Sequence, residues 1–260
     1  MFSWLRRKTA GPPEPPPPPP RPDPAHRIYA VGDVHGRYDL LEVLLWKLKA
    51  DADAQEDGRD AILVFLGDLI DRGDNTRDVI DAALAAWLTW PQVVCLRGNH
   101  EAALLDFLDD PERGASWLGF GGRQTIGSYG VAAPTATAQA DELRATAAAL
   151  AHAMAHHIDF LRQSVELFRS GDVICAHSGI DPQKPLDEQR ASALLWGRSQ
   201  FLELGAPDGL RIVHGHWDNP DPVVTPGRIG IDTGAYYTGR LTAVRLDAET
   251  ELFMVDALDL

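Results

Sequence analysis

The chain has 260 residues, 45% of them hydrophobic, and a formal net charge of −14. That length supports one large core or a main domain with insertions, and no apolar run reaches the roughly 20 residues that a membrane-spanning helix needs. So acidic a surface repels a nucleic acid duplex, and with only Cys95 and Cys175, each inside an apolar run, a disulfide framework is excluded in favour of buried reduced thiols in a cytoplasmic protein.

Residues 1–26 read as a separate, disordered tail. The stretch GPPEPPPPPPRPDP contains six successive prolines, Pro15–Pro20. Proline fixes φ and lacks an N–H, so this segment joins neither a sheet nor a helix interior and reads as a solvated spacer. Its composition also suits a docking peptide for a Pro-binding domain. Met1–Lys8 carries basic residues, but no apolar stretch of the kind a secretory signal requires follows them.

From residue 27 strands and helices alternate. Ile28–Val31 is a short apolar strand, and Leu40, Leu41, Leu44 and Leu48 follow a helical pattern through Arg37–Ala50. Ala61–Leu66 is a buried strand. Asn75 or Thr76 caps a helix through Val79, Ile80, Ala83, Leu84 and Trp87, and Val93–Leu96 is a third strand. This β-α-β-α-β order implies a largely parallel sheet with helices against it. The glycine-rich stretch Trp117–Val131 reads as a loop or cap, and Ala138–Leu161 as helical, within an insertion spanning about residues 110–163. Strand signals follow at Val165–Phe168, Asp172–Ala176, Leu210–Val213, Arg228–Asp232, Leu241–Leu246 and Glu251–Val255, the last two forming a hairpin. The fold class is therefore α/β, with two sheets packed face to face and helices outside.

Three of the predicted strands end alike. YAVGDVHG ends in Gly32-Asp33-Val34-His35-Gly36, VFLGDLIDRG in Gly67-Asp68 and then Asp71-Arg72-Gly73, and VCLRGNHE in Gly98-Asn99-His100-Glu101. A single Gly-Asp is an ordinary turn. Three of them at the carboxyl ends of parallel strands are expected to line one crevice. Later strands add His177 in DVICAHSGI, and His214 and His216 in RIVHGHW. Asp33, His35, Asp68, Asn99, His177 and one of His214 or His216 offer carboxylates, imidazoles and an amide. That mixture suits borderline ions such as Mn, Fe or Zn better than an all-oxygen Ca or Mg cage. It is also too many donors for one tetrahedral site, so two metals sharing a carboxylate are expected.

GDVHG, GDLIDRG, GNHE, a later His-Ser-Gly and a later Gly-His resemble the phosphoprotein phosphatase family of calcineurin-like metallophosphoesterases, in particular its compact bacterial and phage branch. The resemblance spans roughly residues 27–247. It implies a four-layer α/β/β/α fold and a catalytic domain over residues 27–260. It also implies that Asp33, His35 and Asp68 hold one divalent metal, and that Asp68, Asn99, His177 and His216 hold a second. His214 is then structural. Manganese is the expected ion, with Fe or Zn as alternatives. His100 becomes the general acid, Asp71 its anionic partner, and Arg72 and Arg198 the arginines that grip phosphate alongside Asn99. The reaction implied is direct attack of a metal-bridging hydroxide on phosphorus.

Two substrates fit the resemblance. Asp71 in GDLIDRG, and Glu101 rather than Asp after His100, resemble serine/threonine protein phosphatases. Trp217, Tyr236 and Tyr237, which could stack on a base, suit symmetrical bis(5'-nucleosyl)-tetraphosphatases, the alternative. A scaffold that kept the fold without activity is disfavoured, because every ligand and His100 are present. Arg123 is a candidate extra phosphate contact. His152, His156 and His157 look like a second metal cluster, but no carboxylate in the sequence matches them, so they read as a polar helix face.

Overall fold

Alternation along the strands decides the layering. A computed structural model describes residues 19–207 and 209–260; Pro15–Pro18 and the residues before them lie outside it. In β1 (His26–Val31), Ile28 and Ala30 point one way and Tyr29 and Val31 the other; in β2 (Asp60–Phe65), Ile62 and Val64 oppose Leu63 and Phe65. Successive side chains of a strand face opposite sides, so strands apolar at every position need cover on both.

In chain order, α1 (Tyr38–Ala54) joins β1 to β2, and α2 (Thr76–Ala86) joins β2 to β3 (Gln92–Cys95). There follow α3 (Asn99–Asp109), a 3-10 helix over Arg113–Phe120, α4 (Gly122–Ser128), α5 (Ala140–Met154) and α6 (His156–Arg162). Then come β4 (Leu167–Ser170), β5 (Val173–Ala176), α7 (Ala191–Trp196), α8 (Ser199–Leu204), β6 (Arg211–His214), β7 (Val223–Val224), β8 (Arg228–Gly230), α9 (Ala235–Thr238), β9 (Arg240–Leu246) and β10 (Thr250–Asp256). The first sheet runs β10-β9-β1-β2-β3 and the second β4-β5-β6-β8-β7. β1, β2 and β3 are mutually parallel, as are β5, β6 and β8; β9 pairs antiparallel with β1 and β10, and the second sheet's edges β4 and β7 are antiparallel.

Three cores hold four layers together. Between the sheets, Ile28, Ile62, Val64 and Val244 meet Val173, Cys175, Val213 and Ile229. Outside the first sheet, the α1 stripe Leu40, Leu41, Leu44 and Leu48 packs with Tyr29, Leu63 and Phe65. Outside the second, Leu194 of α7 and Phe201 of α8 cover Ile174 and Ile212. Each such aliphatic side chain contributes about 1.5–3 kcal/mol on full burial. This is the two-sheet α/β/β/α sandwich that the sequence led us to expect. Both cysteines are buried and unpaired.

Several local readings change. The glycine-rich stretch from Trp117, expected as a loop or cap, is helical through Ser128. Its Gly122 permits contact rather than flexibility, since a Cβ there would lie 2.5 Å from the Trp117 ring. The single helix expected over Ala138–Leu161 breaks at Ala155, whose φ is 35°. Val165 is not in the following strand. It bridges to Leu96 at the edge of the first sheet before the chain crosses to the second as β4. The short helices α7, α8 and α9 and the two-residue β7 carry too little periodicity to be read from sequence. Arg21 to Ala25, which the sequence reading left in the tail, are tied to the β4–β5 turn: Asp172 N–H donates to Arg21 O at 2.9 Å, and Asp23 N–H to Ser170 Oγ at 3.0 Å.

Because Trp117 is fully buried and cannot retreat, Gly122→Ala is expected to destabilise the protein by about 1–3 kcal/mol, as overpacking does. A thermal midpoint equal to wild type would show that the contact is slack.

Candidate active site

The carboxyl ends of β1, β2, β3, β5 and β6 all open at one edge of the sandwich, and their terminal residues converge on Asp68. His177 Nε2 lies 3.5 Å from Asp68 Oδ1, while His35 Nε2 and His100 Nε2 lie 3.7 and 3.8 Å from Oδ2. Asn99 Oδ1 lies 2.9 Å from both His177 Nε2 and His216 Nδ1. The His216 N–H donates to Asp33 Oδ2 at 3.0 Å. Within this cluster, ligand-type atoms of His35, Asp68 and His100 group together, as do those of Asp68, His177 and His216.

The donor set fits divalent cations. His35 Nδ1 meets the Ile70 carbonyl at 2.8 Å and His177 Nδ1 the Leu66 carbonyl at 2.9 Å. A carbonyl only accepts, so both rings carry hydrogen on Nδ1 and turn an Nε2 lone pair inward. Burial keeps the imidazoles neutral: His35 is lowered to about 3 and His216 to about 4, and His177 is also lowered. With the Asn99 amide oriented as it is, His177 Nε2 faces Asn99 Oδ1 as acceptor to acceptor. That contact repels, and a cation between them makes it attractive. Asp33 Oδ1 is buried with no hydrogen-bond partner, and a Cβ on Gly215 would sit 1.8 Å from it. Burial, then the neighbouring Asp232 and Asp68 carboxylates, raise Asp33 well above the usual carboxylate range. Asp232 is a site residue that the sequence reading missed, since Ile-Asp-Thr-Gly looks like any strand exit.

The backbone is strained at the same place. His35, Asp68, Asp71, Arg72 and His216 all take positive φ, between 47° and 72°. Residues with a Cβ rarely adopt this conformation outside sites that over-determine it. Gly36 and Gly73 make part of it feasible. A Cβ on Gly36 would lie 2.6 Å from Gly73 O, so the GDVHG and DRG loops cross with no side chain between them.

Glu101 holds two of these loops together. It is 1% exposed. Its Oε2 accepts from Gly98 N at 2.8 Å and Asp68 N at 2.9 Å, and its Oε1 from Leu69 N at 2.8 Å. One carboxylate thus fixes the exit of β2 to the exit of β3 and starts α3. Burial and Asp68 raise its pKa to about 7.

His100 sits apart from the neutral imidazoles. Its Nδ1 donates to Asp71 Oδ2 at 2.6 Å. Asp71 is fully buried and also accepts from Trp117 Nε1 at 2.8 Å and Thr125 Oγ1 at 2.6 Å. Trp117 and Thr125 are not visible as partners in the sequence, because they lie in the glycine-rich stretch that reads as a loop or cap. Burial works to lower the His100 pKa, but Asp68 and Asp71 outweigh it and the net shift is upward. Arg72 NH2 lies 3.3 Å from His100 Nε2, and its guanidinium lies 4.5 Å over the Tyr236 ring. Phe120 flanks His100 at 6.2 Å and Trp196 at 6.3 Å.

The remaining sequence candidates make no hydrogen bond to this cluster among the described residues. Arg198, at the start of α8, is exposed and has no side-chain hydrogen bond among the described residues. Arg123 turns its guanidinium to the Pro134 and Thr135 carbonyls, which a phosphate contact would have to break. His214 is buried against Phe201, its Nδ1 2.9 Å from Gly215 O, and stands outside the cluster. Trp217 is packed on Gly197 and donates to Ser178 O at 2.9 Å.

Glu101→Gln keeps the volume but turns an NH2 towards a backbone N–H. We expect the orphaned donor to cost about 1–3 kcal/mol, which lowers the thermal midpoint by about 2–4 °C per kcal/mol. An unchanged midpoint would rule out the clamp.

The calcineurin-like phosphoesterase profile matches residues 26–250. Serine/threonine-protein phosphatase 2 of Salmonella typhimurium is 26% identical over 232 residues, which cover 86% of this chain and 94% of that one. The namesake from Escherichia coli is 35% identical over 95 residues, only 36% of this chain and 38% of its own length. The asymmetrical bis(5'-nucleosyl)-tetraphosphatase PrpE of Oceanobacillus iheyensis is 28% identical over 84% of this chain and 88% of its own; it is named for the asymmetrical reaction, not the symmetrical one weighed from sequence. A crystal structure named provisionally as a diadenosine tetraphosphatase superposes with a TM-score of 0.60 at 21% identity, over 90% of this chain and 95% of that one. The chain belongs to the calcineurin-like phosphoesterase family and is a metallophosphoesterase.

Proposed function

We propose that this metallophosphoesterase is a serine/threonine protein phosphatase with two divalent ions, manganese first among them. Asp33, His35 and Asp68 hold one ion, and Asp68, Asn99, His177 and His216 the other. When bound, the ions supply positive charge for the phosphoryl oxygens and make water a better nucleophile at neutral pH. Arg72 binds the phosphate, and Arg198 joins it from the rim, two residues after Trp196. The catalytic unit is residues 27–260, with the proline-rich segment before it as a spacer and the helical insertion supplying Trp117, Phe120 and Thr125.

The observation that carries this reading is the His100–Asp71 pair. Nε2 of His100 points out of that pair to where Arg72 would hold a phosphate. An imidazolium so placed donates its proton to the departing oxygen. A serine or threonine alkoxide is a poor leaving group and needs that proton, whereas a nucleotide phosphate leaves readily as an anion. A full-length relative named as a protein phosphatase points the same way. The second reading is an asymmetrical dinucleoside tetraphosphatase. Exposed Tyr236, Phe120 and Trp196 beside the site could stack on a base, and a relative of that name covers most of the chain.

His100→Asn is expected to lower kcat on a phosphoserine peptide by about 10²–10⁴-fold, and much less on p-nitrophenyl phosphate, whose leaving group is already acidic. Equal losses on both would remove His100 from proton donation. Because the His100 pKa is raised, wild-type turnover on the peptide should persist above the ordinary imidazole range and fall as the imidazolium deprotonates. Asp71→Asn removes the anion and should move that falling limb to lower pH. The substrate itself is decided by assaying the phosphopeptide and diadenosine tetraphosphate side by side. Cleavage of the dinucleotide to ATP and AMP without phosphopeptide activity would overturn the phosphatase reading.

A further inference from the structure

His152, His156 and His157 do not share one polar face. α5 ends at Met154, Ala155 takes φ 35°, and α6 restarts at His156. His152 stays exposed on α5. His156 and His157 meet Asp81 of α2, a carboxylate that adjacency in sequence could not reveal.

We propose that Asp81, His156 and His157 form a second metal site, sharing no residue with the phosphoesterase centre, that takes one zinc-like ion. One ligand atom from each lies within 4.8 Å of the others. Asp81 Oδ1 is 3.0 Å from His157 Nε2, close to the roughly 3.3 Å between ligands on a tetrahedral ion with bonds of about 2.0 Å. The two histidine rings stand edge to face at 4.3 Å. His157 is buried, and its other nitrogen meets the Tyr129 hydroxyl at 2.6 Å. That hydroxyl donates to Nδ1 when Nε2 carries the hydrogen, and accepts from Nδ1–H when Nε2 binds an ion. Asp81 and His156 are exposed and give an ion a way in. Two imidazoles and one carboxylate, with a position left for water, select Zn, Ni or Co over Mg or Ca.

Two features go beyond an ordinary Asp81–His157 hydrogen bond. His156 belongs to the cluster but takes no part in that bond. Ala155 is the only non-glycine residue of positive φ outside the phosphoesterase centre among the described residues, and it sets the start of α6. Arg77 reaches the other Asp81 oxygen at 4.0 Å and leaves Oδ1 facing the histidines. An ion here would tie α2, which follows the Asp71-Arg72 loop, to the end of the insertion that supplies Trp117 and Thr125.

The test is zinc content by mass spectrometry of the full-length enzyme, dialysed against micromolar Zn²⁺ with excess Mn²⁺. Wild type should retain one zinc per chain more than Asp81→Asn/His156→Ala. Exchange at the phosphoesterase centre affects both proteins alike and cancels. Both substituted side chains are exposed, and retained turnover on p-nitrophenyl phosphate checks that the variant is folded. His156→Ala alone, which keeps the Asp81–His157 bond, should weaken that zinc by at least about tenfold. Equal zinc in wild type and the double variant overturns the site.

Discussion

The arrangement of this enzyme's corner depends on a buried carboxylate bonded to backbone. Glu101 accepts from the N–H groups of Gly98, Asp68 and Leu69. A buried carboxylate needs such partners to offset lost hydration. Here the partners are peptide groups a few residues beyond the ends of two parallel strands. Fixing them sets Asp68 against Asn99 and His100, because the His100 N–H in turn donates to Asp68 Oδ1 at 3.1 Å. Asp33, Asp68, Asp71, Glu101 and Asp232 are all buried in this one region. So many carboxylates out of water favour a cation among them, and His35 and His177 turn lone pairs into the same space.

The same residue type is shifted in two directions, and the partner of Nδ1 differs between them: burial moves His35 and His177 towards the neutral ring, while His100 moves towards the charged one. For His35 and His177 that partner is a peptide carbonyl, which fixes the tautomer without favouring a positive ring. For His100 it is the Asp71 carboxylate, which favours imidazolium. Trp117 and Thr125 occupy the remaining reach of Asp71 and hold its plane. The helical insertion therefore completes the chemistry of a loop that precedes it in the chain.

The central strands and the layers were legible from sequence because β1, β2 and β5 are apolar at successive positions and end in glycine followed by a donor; that β9 and β10 complete the first sheet beside β1 was not. The convergence of Asp33, His35, Asp68, Asn99, His177 and His216 follows from parallel pairing, which puts like ends together. Trp117 and Thr125, the partners of Asp71 besides His100, were not legible, since glycines at 119, 121, 122 and 127 resemble a loop when the packing against Trp117 is unseen. Asp81 could not be matched to His157 either, for the contact crosses between helices far apart in sequence. The role of Glu101 stayed open because its acceptor count depends on where two other peptide groups arrive.

The five left-handed residues of the centre carry a consequence for how the protein can change. Glycine at any one of them would relieve the backbone and delete the side chain that the position exists to present. At Asp71 it would also leave the buried donors of His100, Trp117 and Thr125 without their acceptor, so backbone relief there is offset by lost hydrogen bonds. Backbone ease and side-chain bonding are thus opposed at the strand ends, whereas the helical layers accept stabilising changes without that conflict.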